Sequence, residues 1–433
     1  MIETKTTNFV YTWLRETIKN ADFFVQEIPL SKSREWLLKN GAVEHKTGRF
    51  FRVIGLEWLG AAGKTVSQPF LDQHEIGTLG FLIEKRGGET KILVQAKIEP
   101  GNLGIVQLAP TCQSTASNAK RAHGGEKPPF IGVFSQKNKS IVYDKLQSEQ
   151  GTRFFDKRNR NVLAVVGGDK FPNSPSHRWI PIEDMLGFLK NNYLVNTDAR
   201  SVLVSAPWHI LVDHAPFSRF STGFGAELAK SYATLSAYQL EKARQDILLM
   251  RAKTPLPKQI DISKLKNWKV TKGGIFSKSK NSFDIKQIMI KVNGREVPYW
   301  DQPIVTSKSA GKVILFCARE NGVLKFLFRA SGEAGLHNKV ELTPSVVIEP
   351  GSTEKNNFDF SKGAVCAECY QSEEGGRFYH DINHFQIVDT GDIKKTPGEH
   401  YWLTLGEIRH FLDEEGWFTN EARSALSLLL QWL

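Results

Sequence analysis

The sequence predicts an α+β protein in which one module is used twice, each copy a mixed sheet with flanking helices. Three observations predict it: the chain matches itself, two hairpin turns fall at one register, and strands precede helices in both halves. The self-match starts at Gln68-Pro69, which recurs as Gln302-Pro303. At that same offset Glu99-Pro100-Gly101 meets Glu333-Ala334-Gly335, and Leu108-Ala109-Pro110 meets Leu342-Thr343-Pro344. The offset then shortens, as loops of unequal length require. Gln147-Ser148-Glu149-Gln150-Gly151-Thr152-Arg153-Phe154 meets Gln371-Ser372-Glu373-Glu374-Gly375-Gly376-Arg377-Phe378. Further on, His177-Arg178-Trp179 meets His400-Tyr401-Trp402, and Asp198-Ala199-Arg200-Ser201 meets Glu421-Ala422-Arg423-Ser424. Chance does not place so many matches in one order.

The hairpins come first in each copy. Two apolar runs flank Gly87-Gly88, and two more flank Asn321-Gly322. Both dipeptides supply the positive φ angles of a two-residue β-turn. Further strands are expected at 161–166 and 385–388. Helices follow at 181–191 and 404–413, with Pro181 in a first turn and Thr404 as N-cap, then at 197–205 and 420–430. From Trp208 to Trp268 no counterpart is visible; a helix is expected over 226–252, stopped by Thr254-Pro255-Leu256-Pro257. The expected division is therefore a first module at 1–207, a helical connector at 208–258 and a second module at 259–433.

The chain has 433 residues and a net charge of +11, with pI near 9.3. Bases and acids are mostly interspersed, and the one dense run, Lys157-Arg158-Asn159-Arg160, lacks the aromatics of a single-strand binder. A phosphate-bearing metabolite suits the charge better than nucleic acid. No apolar run approaches the roughly 18 residues of a membrane helix, and the N-terminus has no signal-like core. A cytoplasmic protein is expected. Four cysteines are too few for a disulfide framework, and Cys366-x-x-Cys369 stands alone, so no zinc site is expected. There is no dinucleotide fingerprint, no nucleophile elbow and no His-Glu-x-x-His. Gly63-Lys64-Thr65 is not a phosphate loop, because Trp58 stands where its first glycine belongs.

Polar residues concentrate in two places. The stretch 95–123 holds Lys97, Glu99, Asn102, Gln113, Asn118, Arg121 and His123, several with no twin in the second half. The stretch 147–161 holds Glu149 and Arg153, twinned by Glu373 and Arg377, and Arg158 and Arg160, which have no basic twins. The twinned pair suits either an internal Arg–carboxylate bond or a phosphate or hydroxyl clamp. Asn196, Thr197, Thr419 and Asn420 read as helix caps; Arg200 and Arg423, one turn further in, suit an anion at a helix start.

These residues resemble a known family. Val94-Gln95-Ala96-Lys97-Ile98-Glu99-Pro100-Gly101-Asn102, Pro110-Thr111-Cys112-Gln113, Ser117-Asn118 with Arg121 and His123, Leu146-Gln147-Ser148-Glu149-Gln150-Gly151 and Lys157-Arg158-Asn159-Arg160-Asn161 are similar to NDP-hexose 2,3-dehydratases, over nearly the whole chain. The resemblance implies a duplicated Nudix-like module, a homodimer, a dTDP-4-keto-6-deoxyglucose substrate and a place in deoxysugar biosynthesis. The implied elimination needs a base for the C3 proton, a donor for the departing C2 hydroxyl and a stabiliser for the enolate, with no metal or redox cofactor. His123 and Glu99 are the candidates for base and acid, in either order, with Lys97 or Asn118 at the enolate. Arg121, Arg153, Arg158 and Arg160 are expected at the diphosphate and Trp300 on a ring of the substrate. Glu149, Gln150, Gly151, Arg377 and Arg423 complete the expected contact set. Two departures stand out: Val66 occupies a position where the family usually has Trp, and the acidic Nudix helix is missing. A Nudix-type sugar-nucleotide hydrolase and a non-catalytic sugar-nucleotide binder are the alternatives.

Overall fold

Two seven-stranded mixed sheets share one wiring diagram. The computed structural model describes residues 5–60, 63–121, 126–135, 138–167, 171–279, 282–293, 297–350, 363–393, 396 and 398–433. In the first sheet the hairpin β6 (Gly77–Arg86) and β7 (Glu89–Ile98) is joined by β8 (Val106–Ala109), β9 (Cys112–Ser114), β10 (Ile141–Ser148), β12 (Arg158–Val166) and β13 (His177–Pro181). The order is β10-β12-β6-β7-β13, with β8 beside β7 and β9 beside β6. The second sheet is built from β19 (Gly311–Glu320), β20 (Val323–Gly332), β21 (Val340–Pro344), β22 (Val346–Ile348), β23 (Ala364–Ser372), β24 (Ile382–Asp392) and β25 (His400–Leu403). There β24 lies parallel to β19, as β12 lies parallel to β6, and the remaining pairs are antiparallel. Both turns adopt the conformation their sequences demand, with φ of 62° and 79° at Gly87 and Gly88, and 51° and 71° at Asn321 and Gly322.

Each sheet is followed by two helices: α3 (Ile182–Phe188) and α4 (Thr197–Ser205), then α8 (Leu405–Leu412) and α9 (Asn420–Ser427). Thr404 and Glu407 form a reciprocal capping box on α8. Helices α4 and α9 pack on each other with every residue buried. Their caps, Asn196 and Thr419, accept from the amides of Ala199 and Ala422. Two short helices, α2 (Ala116–Ala119) and α5 (Trp208–Leu211), lie in connections.

Two smaller sheets flank this centre, and each borrows a strand. One holds β2 (Trp36–Lys39), β3 (Ala42–His45), β4 (Arg52–Leu59), β5 (Thr65–Asp72), β11 (Phe154–Phe155) and β14 (Lys258–Ile260). The other holds β1 (Phe24–Ile28), β15 (Trp268–Val270), β16 (Gly274–Ser277), β17 (Phe283–Lys291) and β18 (Tyr299–Ser307). Thus β1, from the N-terminal half, pairs with β17, while β14, from the C-terminal half, pairs with β4.

The connector differs from expectation in two ways. The single helix expected over 226–252 is two helices, α6 (Gly223–Tyr232) and α7 (Ala237–Lys253), because Ser236 caps a new start through the amide of Gln239. The stretch from Trp208 to Trp268 also does have a counterpart. The order α7, β14, then β15 to β18 repeats α1 (Lys5–Asn20), β1, then β2 to β5. The element order of the second repeat can thus be followed back to α7, inside the stretch expected as connector, and only geometry carries that part of the match.

Glycine explains where the halves meet. The Gly101 amide donates to the Gly375 carbonyl at 2.8 Å, and the Gly335 amide donates to the Gly151 carbonyl at 2.8 Å. A Cβ at Gly101 would lie 1.6 Å from the Phe378 carbonyl oxygen, and one at Gly335 would lie 1.8 Å from that of Phe154. Only glycine permits this approach.

Candidate active site

The reciprocal glycine contacts make two composite clusters of polar side chains, the first pocket and the second, and a cavity opens at the second. The loop after β7 brings Glu99 against the 374–377 segment of the second repeat, and the loop after β20 brings Glu333 against the 150–153 segment of the first. Gln150, Gly151 and Arg153 therefore serve the second pocket, although they are encoded in the first half. Glu374 and Arg377 serve the first.

In the first pocket Lys97 Nζ stands 4.0 Å from Glu99 Oε1 and donates to the Gln113 carbonyl at 3.3 Å. Gln113 Nε2 donates to Glu99 Oε1 at 3.2 Å, and Asn196 Nδ2 donates to Gln113 Oε1 at 2.9 Å. A Cβ at Gly376 would lie 2.6 Å from Glu374 Oε1 and 3.6 Å from Glu99 Oε1, so glycine there leaves the space between two carboxylates open. Glu149 accepts from Asn159 at 2.6 Å and from Asn420 at 3.2 Å. Lys157, 5% exposed, donates to the Glu75 carbonyl at 2.5 Å. The Glu75 carboxylate takes Ser117 N at 2.7 Å and Gln73 Nε2 at 2.9 Å, and Gln73 accepts from Arg377 Nε at 3.2 Å.

Burial controls the protonation of this pocket. It pushes Glu149 up to about 7, against the Arg423 guanidinium and with help from the Glu374 carboxylate. It holds Asp198 well above the usual carboxylate range, and the carboxylates of Glu149, Glu374 and Glu99 add to the effect while Lys97 opposes it. Burial also pulls Lys157 down, opposed by Glu149, Glu75 and Glu374. Neutral carboxyls beside lysines give a site that can both take and give a proton near neutral pH.

The expected residues divide. Lys97, Glu99, Glu149 and Arg377 converge on the first pocket. Trp300 borders it: its Nε1 donates to Gln302 at 2.9 Å, and Gln302 donates to the Gly376 carbonyl at 2.6 Å. Asn118, in α2 one residue after Ser117, is half-buried, and Arg121 is exposed with φ of 54°. His123 lies outside the described residues. Arg158 and Arg160 share the face of β12 opposite Asn159. The Arg160 guanidinium is taken by Asp144 at 3.0 and 2.5 Å and by the Phe134 carbonyl. Arg153 pairs with Glu349 at 2.9 Å in the second pocket.

Arg423 is corrected as an anion site. It is 1% exposed; it donates to Ser201 Oγ at 2.9 Å and to the carbonyls of Phe418 and Ser148. Arg200 mirrors it, bonding Ser427 Oγ at 2.9 Å and the Val195 carbonyl at 3.2 Å. Gln73, Glu75 and Asp198 carry no local motif. The one signal for Asp198 is its acidic twin Glu421.

The buried carboxyls give stability an unusual slope. In the second pocket, burial and the Glu349 carboxylate push Glu421 up to about 7 from 4.5, and burial pushes Asp381 up to about 6. An acid with a raised folded value binds its proton more tightly in the folded chain. Its stabilisation is complete below about 4.5 and is lost as pH climbs through about 7. His177, pushed down to about 4 by burial, acts oppositely between about 6.5 and 4. Urea unfolding at pH 5 and pH 8 is therefore expected to show Glu421→Gln stabilising the chain at pH 8 relative to pH 5, on the order of 2 kcal/mol. An unchanged pH dependence would remove Glu421 as a source.

Comparison with known proteins agrees with this two-part layout. A family model described as NDP-hexose 2,3-dehydratase matches residues 7–205 and 249–429. The chain is 30% identical over 452 residues to dTDP-4-dehydro-6-deoxy-alpha-D-glucopyranose 2,3-dehydratase of Saccharopolyspora spinosa, covering 98% of this chain and 91% of that one. It is 31% identical over 417 residues to the Streptomyces violaceoruber protein of the same name, covering 92% and 91%. For the Amycolatopsis orientalis protein of that name the figures are 29% over 445 residues, covering 98% and 90%. With both repeats matched from the first strands to the last helix, the chain belongs to the NDP-hexose 2,3-dehydratase family.

Proposed function

We infer that this chain removes water across C2 and C3 of a nucleoside-diphosphate-linked 4-keto-6-deoxyhexose, with dTDP-4-keto-6-deoxyglucose as substrate, in deoxysugar biosynthesis. The observation that carries the location is the cluster of Lys97, Glu99 and Gln113 facing Glu374 of the other repeat. A base takes the C3 proton, which the C4 ketone has acidified, and the electron pair moves onto the C4 oxygen. The enolate then expels the C2 hydroxyl, which leaves as water once it gains a proton, and the enol relaxes to a 3,4-diketo-2,6-dideoxy sugar. Glu99 and His123 exchange these protons, Lys97 or Asn118 faces the enolate oxygen, and Arg377 belongs to the substrate-contact set. Trp300 supports a ring of the substrate.

The two repeats are taken as copies of one Nudix-like module, the enzyme as a cytoplasmic homodimer. No helix among the described residues is long and apolar enough to cross a membrane. The hydrolase alternative lacks its acidic helix in the sequence. Incubation with dTDP-4-keto-6-deoxyglucose followed by mass analysis tests the function: loss of one water from the intact sugar nucleotide is expected. Release of a nucleoside monophosphate, or binding without turnover, would replace it with the hydrolase or binder reading.

A further inference from the structure

Asp198, in the first turn of α4, is 3% exposed, and among the described residues its carboxyl takes no hydrogen bond and no ion pair. An acid at a helix start is ordinarily a solvated complement to the helix dipole, and a sealed one is not. The repeat places it. In the second copy Gln150, Glu373 and Glu421 line one recess, and their twins are Glu374, Glu149 and Asp198. The residues before it agree. Asn196 donates to Gln113, which holds Glu99, and Thr197 Oγ1 donates at 3.3 Å to Asn420, which holds Glu149. Asp198 therefore stands where the Glu99 and Glu149 sides of the first pocket meet.

Their surroundings divide these acids by task. Glu99 has Lys97 at 4.0 Å and the Gln113 amide at 3.2 Å to hold a negative charge, which suits a base. Both oxygens of Glu149 are engaged, one by Asn159 and one by Asn420. Asp198 has neither a bonded cation nor a donor. Burial keeps its proton on, the carboxylates of Glu149, Glu374 and Glu99 add to this, and Lys97 opposes it. One charged acid and one neutral acid in a single pocket suit a reaction that takes one proton and gives another.

We propose that Asp198 is the general acid of the elimination, giving its proton to the C2 hydroxyl while Glu99 takes the one from C3. The inference rests on the dehydratase reading and moves the donor's part from His123 to Asp198. The C3–H bond breaks and its electron pair goes to the C4 oxygen. As the ketone re-forms, the C2–O bond breaks, and its oxygen takes the Asp198 proton and leaves as water. Asp198 then regains a proton from solvent, and Glu99 releases one.

The test gives Asp198→Asn dTDP-4-keto-6-deoxyglucose in D2O. Water loss is followed by mass analysis, and deuterium at C3 of the remaining substrate by proton NMR. Asparagine keeps the shape and the carboxyl has no partner to lose, so the fold should hold, with thermal unfolding as control. Elimination is expected to fall about 10²–10⁴-fold with KM changed less than about threefold, while C3 exchange continues because the base is intact. A damaged fold would slow both alike. Asp198→Glu, which returns the acid, is expected to recover part of the rate. In the parent chain, elimination is expected to fall as pH rises while C3 exchange does not. Elimination near the parent rate in Asp198→Asn, exchange lost in step with elimination, or a parent rate that does not fall toward alkaline pH would each overturn the proposal. A parent chain that neither exchanges nor eliminates would overturn the dehydratase reading, and the proposal with it.

Discussion

Replacing Glu99 with Gln is expected to lower the rate of water elimination by about 10²–10⁴-fold with little change in KM. Glu99 is 4% exposed, and the exchange keeps its volume, so the fold should hold. Its Oε1 accepts from Gln113 Nε2, and an amide oxygen at that place still can. What the amide cannot do is carry a proton between C3 and solvent. The reacting proton differs between ground state and transition state, so the loss falls on kcat. Lys97, 4.0 Å away, stabilises a carboxylate at position 99 and loses that partner in the variant. The rate is followed by mass analysis of the sugar nucleotide, with thermal unfolding as a fold control. Turnover within a few-fold of the parent chain, at an unchanged melting temperature, would remove Glu99 from the chemistry and leave the proton transfers to other groups.

How much of this was legible depends on whether a residue's partner lies near it in sequence. The hairpins were, because Gly87-Gly88 and Asn321-Gly322 determine their own backbone. The caps at Asn196, Thr404 and Thr419 were too, since capping is a contact across three residues. The pockets were not. Gln150 and Arg153 sit one and four residues after Glu149 yet share no site with it: the 150–153 turn crosses to Glu349 and Glu373 while Glu149 stays with Asn159. Sequence neighbours thus part company at the glycine contact between Gly151 and Gly335. The exchange of β1 and β14 was equally invisible, because a strand's own pattern does not name the sheet it joins. Glu75 and Gln73 acquire meaning only through Ser117 and Arg377, which reach them from distant elements.

Arg423→Met is expected to cost about 3–5 kcal/mol of unfolding free energy, measured by urea denaturation near pH 7. The guanidinium sits between α4 and α9 with no route to solvent, and its forked donors meet Ser201, Phe418 and Ser148 at once. It is also the cation nearest in effect to the buried carboxyls of Glu149 and Glu341. Methionine fills the space but removes the donors that meet two carbonyls and the strongest counter-charge of two acids, leaving Lys157 to Glu149 and Arg251 to Glu341. Those acids then hold their protons to higher pH, so the penalty is expected to grow as pH rises from 6 to 8. Arg423→Lys returns the charge without the fork and should recover only part of the loss. Because Glu149 borders the first pocket, elimination should slow in both variants even where the chain is folded. A loss below about 1 kcal/mol in Arg423→Met would mean that the interior of the helix pair is wetter than its burial indicates, and would reopen Arg423 as a group that meets a ligand.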